Sequence, residues 1–423
     1  MPPNIAFLVS RSAELKAYAP VIVSALKQNL PVYLLCGPDP ENSWPRTPLY
    51  RPVPDNMLFP GRERTVYLPY RTNQETTCLL AANGITDLFI LRYRRKSQVP
   101  PRPPGCHLHA LQFMADYLYI LPEHLPKVDT VFVYSPKMAD IYHAVHPDVN
   151  PATLTRKMVA VGNPVLDALP DIKRRRAAIK KKYRLPNNQR VVLLLSLNIG
   201  NTFWQEFIFG SPNIWRSLLG AAYYRQFHRV FAILRQKPRQ KDIIANLKNW
   251  CRSQNAALVI KSRAKHDEPQ YVRAAADHFI TDSTTWYPYP ALELISISDL
   301  VIIFNSTSVL EAAACGTYAV SLDISQDDAP DSKGTTFFQS GIFDNPAVSL
   351  WPNYRDFPAF LKQHNLSDFS VDPAGQQDYL KTFLGPTDGH AADRIINHVC
   401  ASPQPPYSRP YSKTREQLQS ARQ

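Results

Sequence analysis

Asn4-Ile-Ala-Phe-Leu-Val-Ser10 and Pro31-Val-Tyr-Leu-Leu-Cys-Gly37 are apolar runs of strand length, the second closed by Gly-Pro. Between them, Leu15, Tyr18, Val21, Ile22, Ala25 and Leu26 recur at helical spacing over residues 14–28. Strand, helix and strand within about 35 residues form a βαβ unit, which demands a parallel sheet and a right-handed crossover. Residues 87–91 and 130–134 extend the series as further strands, and 157–162 follows as a strand-like run. A second series begins with Arg190-Val-Val-Leu-Leu-Leu-Ser196. Helical patterns over 215–235 and 242–253, strands at 257–261, 300–304 and 318–323, and a helix from Ser306 to Ala314 complete it. Two α/β series of similar size predict two doubly wound, Rossmann-like domains facing across a cleft. The expected divisions are an N-terminal domain over 1–165, a basic linker over 166–189, a C-terminal domain over 190–400 with a closing helix, and a disordered tail over 401–423.

Composition narrows the class. The 423 residues carry 48 Lys and Arg against 35 Asp and Glu, a formal charge of +13, and 44% are hydrophobic, enough for a sizeable core. No apolar run approaches the ~18 residues of a membrane span. The N-terminus has no basic n-region, and the six cysteines stand singly without metal or redox spacing. A cytoplasmic location is expected, with peripheral contact at the inner membrane face. The 39 prolines cluster at 38–60, 100–104 and after Cys400, marking loops and the tail. Gly-x-Gly-x-x-Gly, the Walker loop and Asp-x-Asp are all absent, so neither a dinucleotide cofactor nor a catalytic metal is expected.

The densest chemistry lies in Ser298-Asp-Leu-Val-Ile-Ile-Phe-Asn-Ser-Thr-Ser-Val-Leu-Glu-Ala-Ala-Ala-Cys-Gly316. A strand ends at Phe304, Asn305, Ser306, Thr307 and Ser308 make a polar turn, and Glu311 falls in the first helical turn. A helix N-terminus with small hydroxyl residues suits a diphosphate, because its unpaired N–H groups and dipole favour negative charge. An ordinary capped helix is the alternative. Lys261, Arg263 and Lys265 follow a strand at its carboxyl end, the side on which such sheets bind ligands, though a solvated basic loop has the same pattern. Asn198, Gly200, Asn201 and Thr202 offer backbone and amide donors after the first strand of the second series, or form a plain strand-to-helix turn.

For a general base, His107 and His109 stand out in what reads as a polar turn before an apolar helix, with Asp116 placed to orient an imidazole. Ser10 and Arg11, just after the first strand, are acceptor-side candidates. The basic runs Arg92-Tyr-Arg-Arg-Lys96 and 173–184 match no nucleic-acid motif; they suit anionic lipid headgroups or simply solvated helix faces.

The stretch from Asp299 to Gly316 resembles the nucleotide-sugar segment of GT-B glycosyltransferases and the matching segment of CDP-glycerol glycerophosphotransferases. Met158-Val-Ala-Val-Gly-Asn-Pro-Val-Leu-Asp167 is similar to the hinge segment of that superfamily, and Gly385-Pro-Thr-Asp-Gly389 with Ala392-Asp-Arg-Ile-Ile396 to its closing helix. The resemblance implies that the small turn residues hold the donor diphosphate and that Glu311 reaches the ribose. It departs at Ser196-Leu-Asn-Ile-Gly-Asn-Thr202, which has a single glycine, and at Lys261-Ser-Arg-Ala-Lys-His266, which replaces a His-Pro motif. The implied activity is metal-independent transfer of a sugar from a nucleotide-sugar donor to a lipid-linked or glycan acceptor in cell-envelope polysaccharide synthesis. The alternatives are a CDP-alcohol phosphotransferase, a UDP-N-acetylglucosamine 2-epimerase-like isomerase and a non-catalytic nucleotide-binding protein.

Overall fold

The computed structural model describes residues 2–10, 12–37, 58–113, 118–196, 240–262, 268–282, 290–304, 306–323 and 341–401. Its first lobe is a seven-stranded sheet of β1 (Ile5–Val9), β2 (Val32–Cys36), β3 (Val66–Pro69), β4 (Asp87–Ile90), β6 (His107–Leu111), β8 (Thr130–Val133) and β9 (Met158–Ala160). Every neighbouring pair is parallel, in the order β3-β2-β1-β4-β6-β8-β9. A two-stranded accessory sheet pairs β5 (Arg92–Tyr93) with β7 (Tyr119–Ile120). The second lobe is a six-stranded parallel sheet of β10 (Arg190–Leu195), β11 (Ala256–Lys261), β12 (His278–Ile280), β13 (Leu300–Phe304), β14 (Tyr318–Leu322) and β15 (Ser349–Leu350), ordered β12-β11-β10-β13-β14-β15. In both lobes the strand order reverses beside the first strand, at β1/β4 and at β10/β13. These are the switch points where such sheets open a crevice at their carboxyl ends.

Among the described residues the helices are α1 (Leu15–Lys27), α2 (Asn73–Ala82), α3 (Lys137–Val145), α4 (Pro151–Lys157), α5 (Leu169–Arg174), α6 (Arg176–Lys182), α7 (Gln240–Ser253), α8 (Gln270–Ala275), α9 (Pro290–Ile297), α10 (Ser308–Cys315), α11 (Phe357–Gln363), α12 (Pro373–Phe383) and α13 (Ala391–Ala401). The strands are near-continuous apolar runs because helices cover both faces. Ile5, Phe7 and Val9 point toward α1 and α13, while Ala6 belongs to the cluster on the opposite face.

Three expectations change on contact with the fold. The polar turn expected at 106–109 is instead β6, an inner strand of the first sheet. His-Leu-His-Ala-Leu reads as polar, yet a parallel sheet buries both faces, and Asp87 on the neighbouring strand gives His109 a partner there. The basic linker is helical and packed. Leu169, Ile172, Ile179 and Leu185 are buried, α5 and α6 lie on α9, and Lys182 Nζ and Tyr183 Oη both donate to Glu293 Oε2 at 2.6 Å. The closing helix α13, placed with residues 190–400 on sequence, returns to the first lobe. Ile395, Ile396 and Val399 join the core beneath α1, and Ser24 Oγ donates to Asp393 at 2.6 Å. The 215–235 helix falls outside the described residues, as does all of the expected tail except Ala401, which ends α13.

The hinge-like segment has a visible purpose. Asn163 accepts from Val165 N–H at 3.0 Å, Pro164 opens a short 3-10 turn, and the Asp167 carboxylate takes the Ala391 and Ala392 N–H groups at 2.9 and 2.8 Å. Asp167 therefore caps α13 from the other crossing of the chain. Gly162 has φ +92°, and a Cβ there would lie 2.5 Å from the Pro386 carbonyl oxygen, so the two crossings touch where only glycine fits.

Candidate active site

At the carboxyl end of β1 the chain turns through Ser10 into a short 3-10 turn leading into α1. Glu14, 4% exposed, accepts from Ser10 N–H at 2.8 Å and from Ser10 Oγ at 3.1 Å. Arg92, at the carboxyl end of β4, donates through its guanidinium to the same carboxylate. Ser10, Glu14, Tyr70, Arg92 and Gln98 line a small pocket here, at the first switch point. Tyr18 lies beneath; burial foremost, and then the Glu14 charge, pushes its phenol well above the ordinary value.

At the second switch point β13 leads into α10. Ser306 and Thr307 are half-buried, Ser308 is buried, and Ser308 N–H approaches Ser306 Oγ at 3.4 Å, a weak contact. Glu311 is 3% exposed. One of its oxygens accepts from Lys16 Nζ on the first turn of α1, and the other is buried without a partner among the described residues. Tyr134, from the first lobe, has its phenol pushed up by burial and then by the Glu311 charge. The two switch points thus face each other, and each presents a helix start to the gap.

The other expected residues divide sharply. Lys261 ends β11 as anticipated, but it is buried and donates to Asp282 at 2.7 Å and to the Ser262 carbonyl at 3.0 Å. His109 is 2% exposed, with Nε2 against Asp87 Oδ1 at 2.8 Å and its ring 5.1 Å from Phe89 and 5.8 Å from Phe132. His107 opens β6 at the amino end of the sheet, away from the carboxyl-end crevice. Neither imidazole reaches the gap. Arg11, Asp116, Asn198, Gly200, Asn201, Thr202, Arg263, Lys265 and Asn305 lie outside the described residues.

Sequence reading missed Glu14, Lys16 and Arg92. The Ser10-to-Glu14 spacing over a strand-to-helix turn was a usable signal for the first. A cation in the first turn of α1, where the helix dipole disfavours it, was one for the second. Among the described residues no helix is long and apolar enough to cross a membrane.

No protein-family model matches the chain, and no curated protein matches it in sequence. Solved structures match in shape. The wall teichoic acid polymerase TagF superposes with a TM-score of 0.57 at 12% identity, covering 99% of this chain and 90% of its own. A UDP-GlcNAc 2-epimerase from Neisseria meningitidis, bound to UDP-GlcNAc, superposes with a TM-score of 0.54 at 12% identity, covering 95% and 100%. The likeness is one of fold, and with the two parallel sheets it gives this chain the GT-B architecture: two Rossmann-like domains facing across a cleft.

Proposed function

We propose that the chain is a metal-independent GT-B glycosyltransferase that moves a sugar from a nucleotide-sugar donor to a lipid-linked or glycan acceptor in cell-envelope polymer synthesis. The observation that carries this reading is the apposition of the two switch points, with the start of α10 and Glu311 on one side and Ser10, Glu14 and Lys16 on the other. The domains follow: residues 1–165 present the acceptor and 190–390 hold the donor. The nucleotide-bound epimerase and the polymer-forming TagF share the fold and support the ligand class.

In this scheme Ser306, Thr307 and Ser308 receive the donor diphosphate at the positive end of α10, and Glu311 meets the ribose hydroxyls. The acceptor oxygen attacks the anomeric carbon as the bond to the diphosphate oxygen breaks. Its proton passes to a carboxylate in hydrogen-bond reach. Glu14 takes that role in place of His109. It lies at the crevice, whereas His109 is committed to Asp87 inside the sheet. Arg92 and Ser10 hold the Glu14 carboxylate in place at the crevice. Departing nucleoside diphosphate is stabilised by the α10 dipole and the N–H groups of its first turn, worth several kcal/mol for well-placed donors.

The test is a melting panel of UDP, CDP, GDP, ADP and CMP compounds followed by product analysis. A ligand at 100 times its Kd raises stability by about 2.7 kcal/mol, so one base class should stand out. No shift with any nucleotide defeats the reading. Release of a free sugar isomer without an acceptor makes the chain an epimerase, and transfer of a polyol phosphate makes it a phosphotransferase.

A further inference from the structure

Lys16 occupies a position that its own helix does not favour, since a cation in the first turn of α1 opposes the positive end of the helix dipole. Its ammonium reaches instead across the gap to Glu311 on α10, 295 residues away in sequence. Glu311 is 3% exposed and Lys16 24%, so in the closed arrangement the carboxylate depends on this ammonium. Its second oxygen is already buried without a partner among the described residues. The chain crosses between the lobes at two adjoining places. A Cβ on Gly162 would meet the Pro386 carbonyl oxygen and one on Gly385 the Tyr134 carbonyl oxygen, both at 2.5 Å, and Asp167 caps α13. Ser135 Oγ also donates to the Thr382 carbonyl at 2.5 Å.

We infer that the Lys16–Glu311 pair is a latch that holds the two lobes closed about the hinge formed by these crossings. The physical driver is the carboxylate. With Lys16 in place Glu311 is tolerated in a buried setting. With Lys16 removed, the closed form holds an unpaired buried charge, and swinging the lobes apart to admit water relieves it. Removing both charged groups removes the driver as well, so a doubly apolar gap stays shut. The latch stands on the contacts between the lobes and not on the donor assignment.

Small-angle scattering on the full chain without nucleotide tests it. Lys16→Met should raise the radius of gyration and the maximum dimension above those of the wild type. Lys16→Met with Glu311→Leu should return both to wild-type values, and Lys16→Arg should leave them unchanged. A folded Lys16→Met protein with wild-type dimensions overturns the latch, and so does a double variant as expanded as the single one. Should Lys16→Met not fold, hydrogen exchange on the wild type decides. The first turns of α1 and α10 must gain exchange together as salt weakens the pair; independent exchange rejects the inference. Because no nucleotide is present, this result is separate from that of the melting panel.

Discussion

Each lobe carries a buried carboxylate on the helical turns that follow one of its central strands, but the two are partnered differently. In the first lobe Glu14 is satisfied at home, by Ser10 from its own turn and Arg92 from the neighbouring strand. In the second lobe the partner of Glu311 comes from the opposite lobe, and one oxygen is left over. A carboxylate held by its own lobe keeps its geometry whether the cleft is open or closed, which is what a proton acceptor needs. A carboxylate held from across the gap is sensitive to whatever enters the gap, which is what a ligand-contacting group needs. In the proposed reading the same side-chain chemistry serves two roles, divided by where the counter-charge is anchored.

The sharpest way to break this comparison is to neutralise each carboxylate in turn. Glu14→Gln should lower kcat by roughly 10³-fold, within the 10²–10⁴ range of general-base removal, with nucleotide affinity little changed. Steady-state rates and calorimetric titration check it. A loss of affinity with unchanged kcat reverses the assigned roles.

His109 tests the same division from inside the sheet. His109→Ala leaves Asp87, fully buried, with the Thr86 hydroxyl at 2.6 Å on one oxygen and without the imidazole that faces the other. A broken buried pair of this kind costs about 3 kcal/mol, read as a lower denaturant midpoint. Residual turnover per folded molecule should stay near that of the wild type. Loss of turnover with stability intact would restore the imidazole as a base.

How much of this was legible follows from the same physics. The central strands and α1 announce themselves because unbroken apolar runs and 3.6-residue spacing survive any tertiary setting. Gly162, Asn163, Pro164 and Asp167 were legible only through the resemblance of their segment to a hinge, because Gly162 and Asp167 act on Pro386, Ala391 and Ala392, more than 200 residues further along the chain. Strand β6 was not, since a histidine in a buried strand makes sense only once Asp87 is known to lie beside it. Edge strands β3, β12 and β15 are two to four residues long and carry no period to read. The pairing of Lys16 with Glu311 is fixed by the way the lobes close, and no local pattern encodes it.

Where the chain crosses between the lobes, Gly162 has no room for a side chain. Gly162→Ala puts a Cβ 2.5 Å from the Pro386 carbonyl oxygen at a φ of +92°. About 2 kcal/mol of destabilisation is expected, measured by urea unfolding. A neutral effect would show that the crossings move apart without cost. On the donor side, Glu311→Ala should weaken nucleotide binding about tenfold, near 1.4 kcal/mol, by calorimetry. Unchanged affinity removes Glu311 from the ribose.

The smallest effect lies at the amino ends of the sheets, where the lobes are alike and so provide a control. Asp129 accepts from Leu108 N–H at 2.7 Å and pairs with Arg102, and Asp277 accepts from Leu258 N–H at 2.8 Å and pairs with Lys248. Burial alone would raise both carboxyls. The Leu108 N–H and Arg102 outweigh it for Asp129, as Lys248 and the Leu258 N–H do for Asp277, and both fall below the ordinary range. A depressed folded value means that the stabilisation is complete above the unfolded pKa of about 3.9 and drains away as pH falls through the folded value. Both side chains are more than a third exposed, so each contributes under about 1 kcal/mol after solvent screening. Asp129→Asn and Asp277→Asn should each lower the melting temperature slightly at pH 7, and the deficit should shrink as pH drops below about 4. Because the clips are equivalent, the two deficits should fade over the same interval. A deficit that persists in acid would show that the asparagine disturbs the strand itself, and the two lobes would then differ at both ends of their sheets.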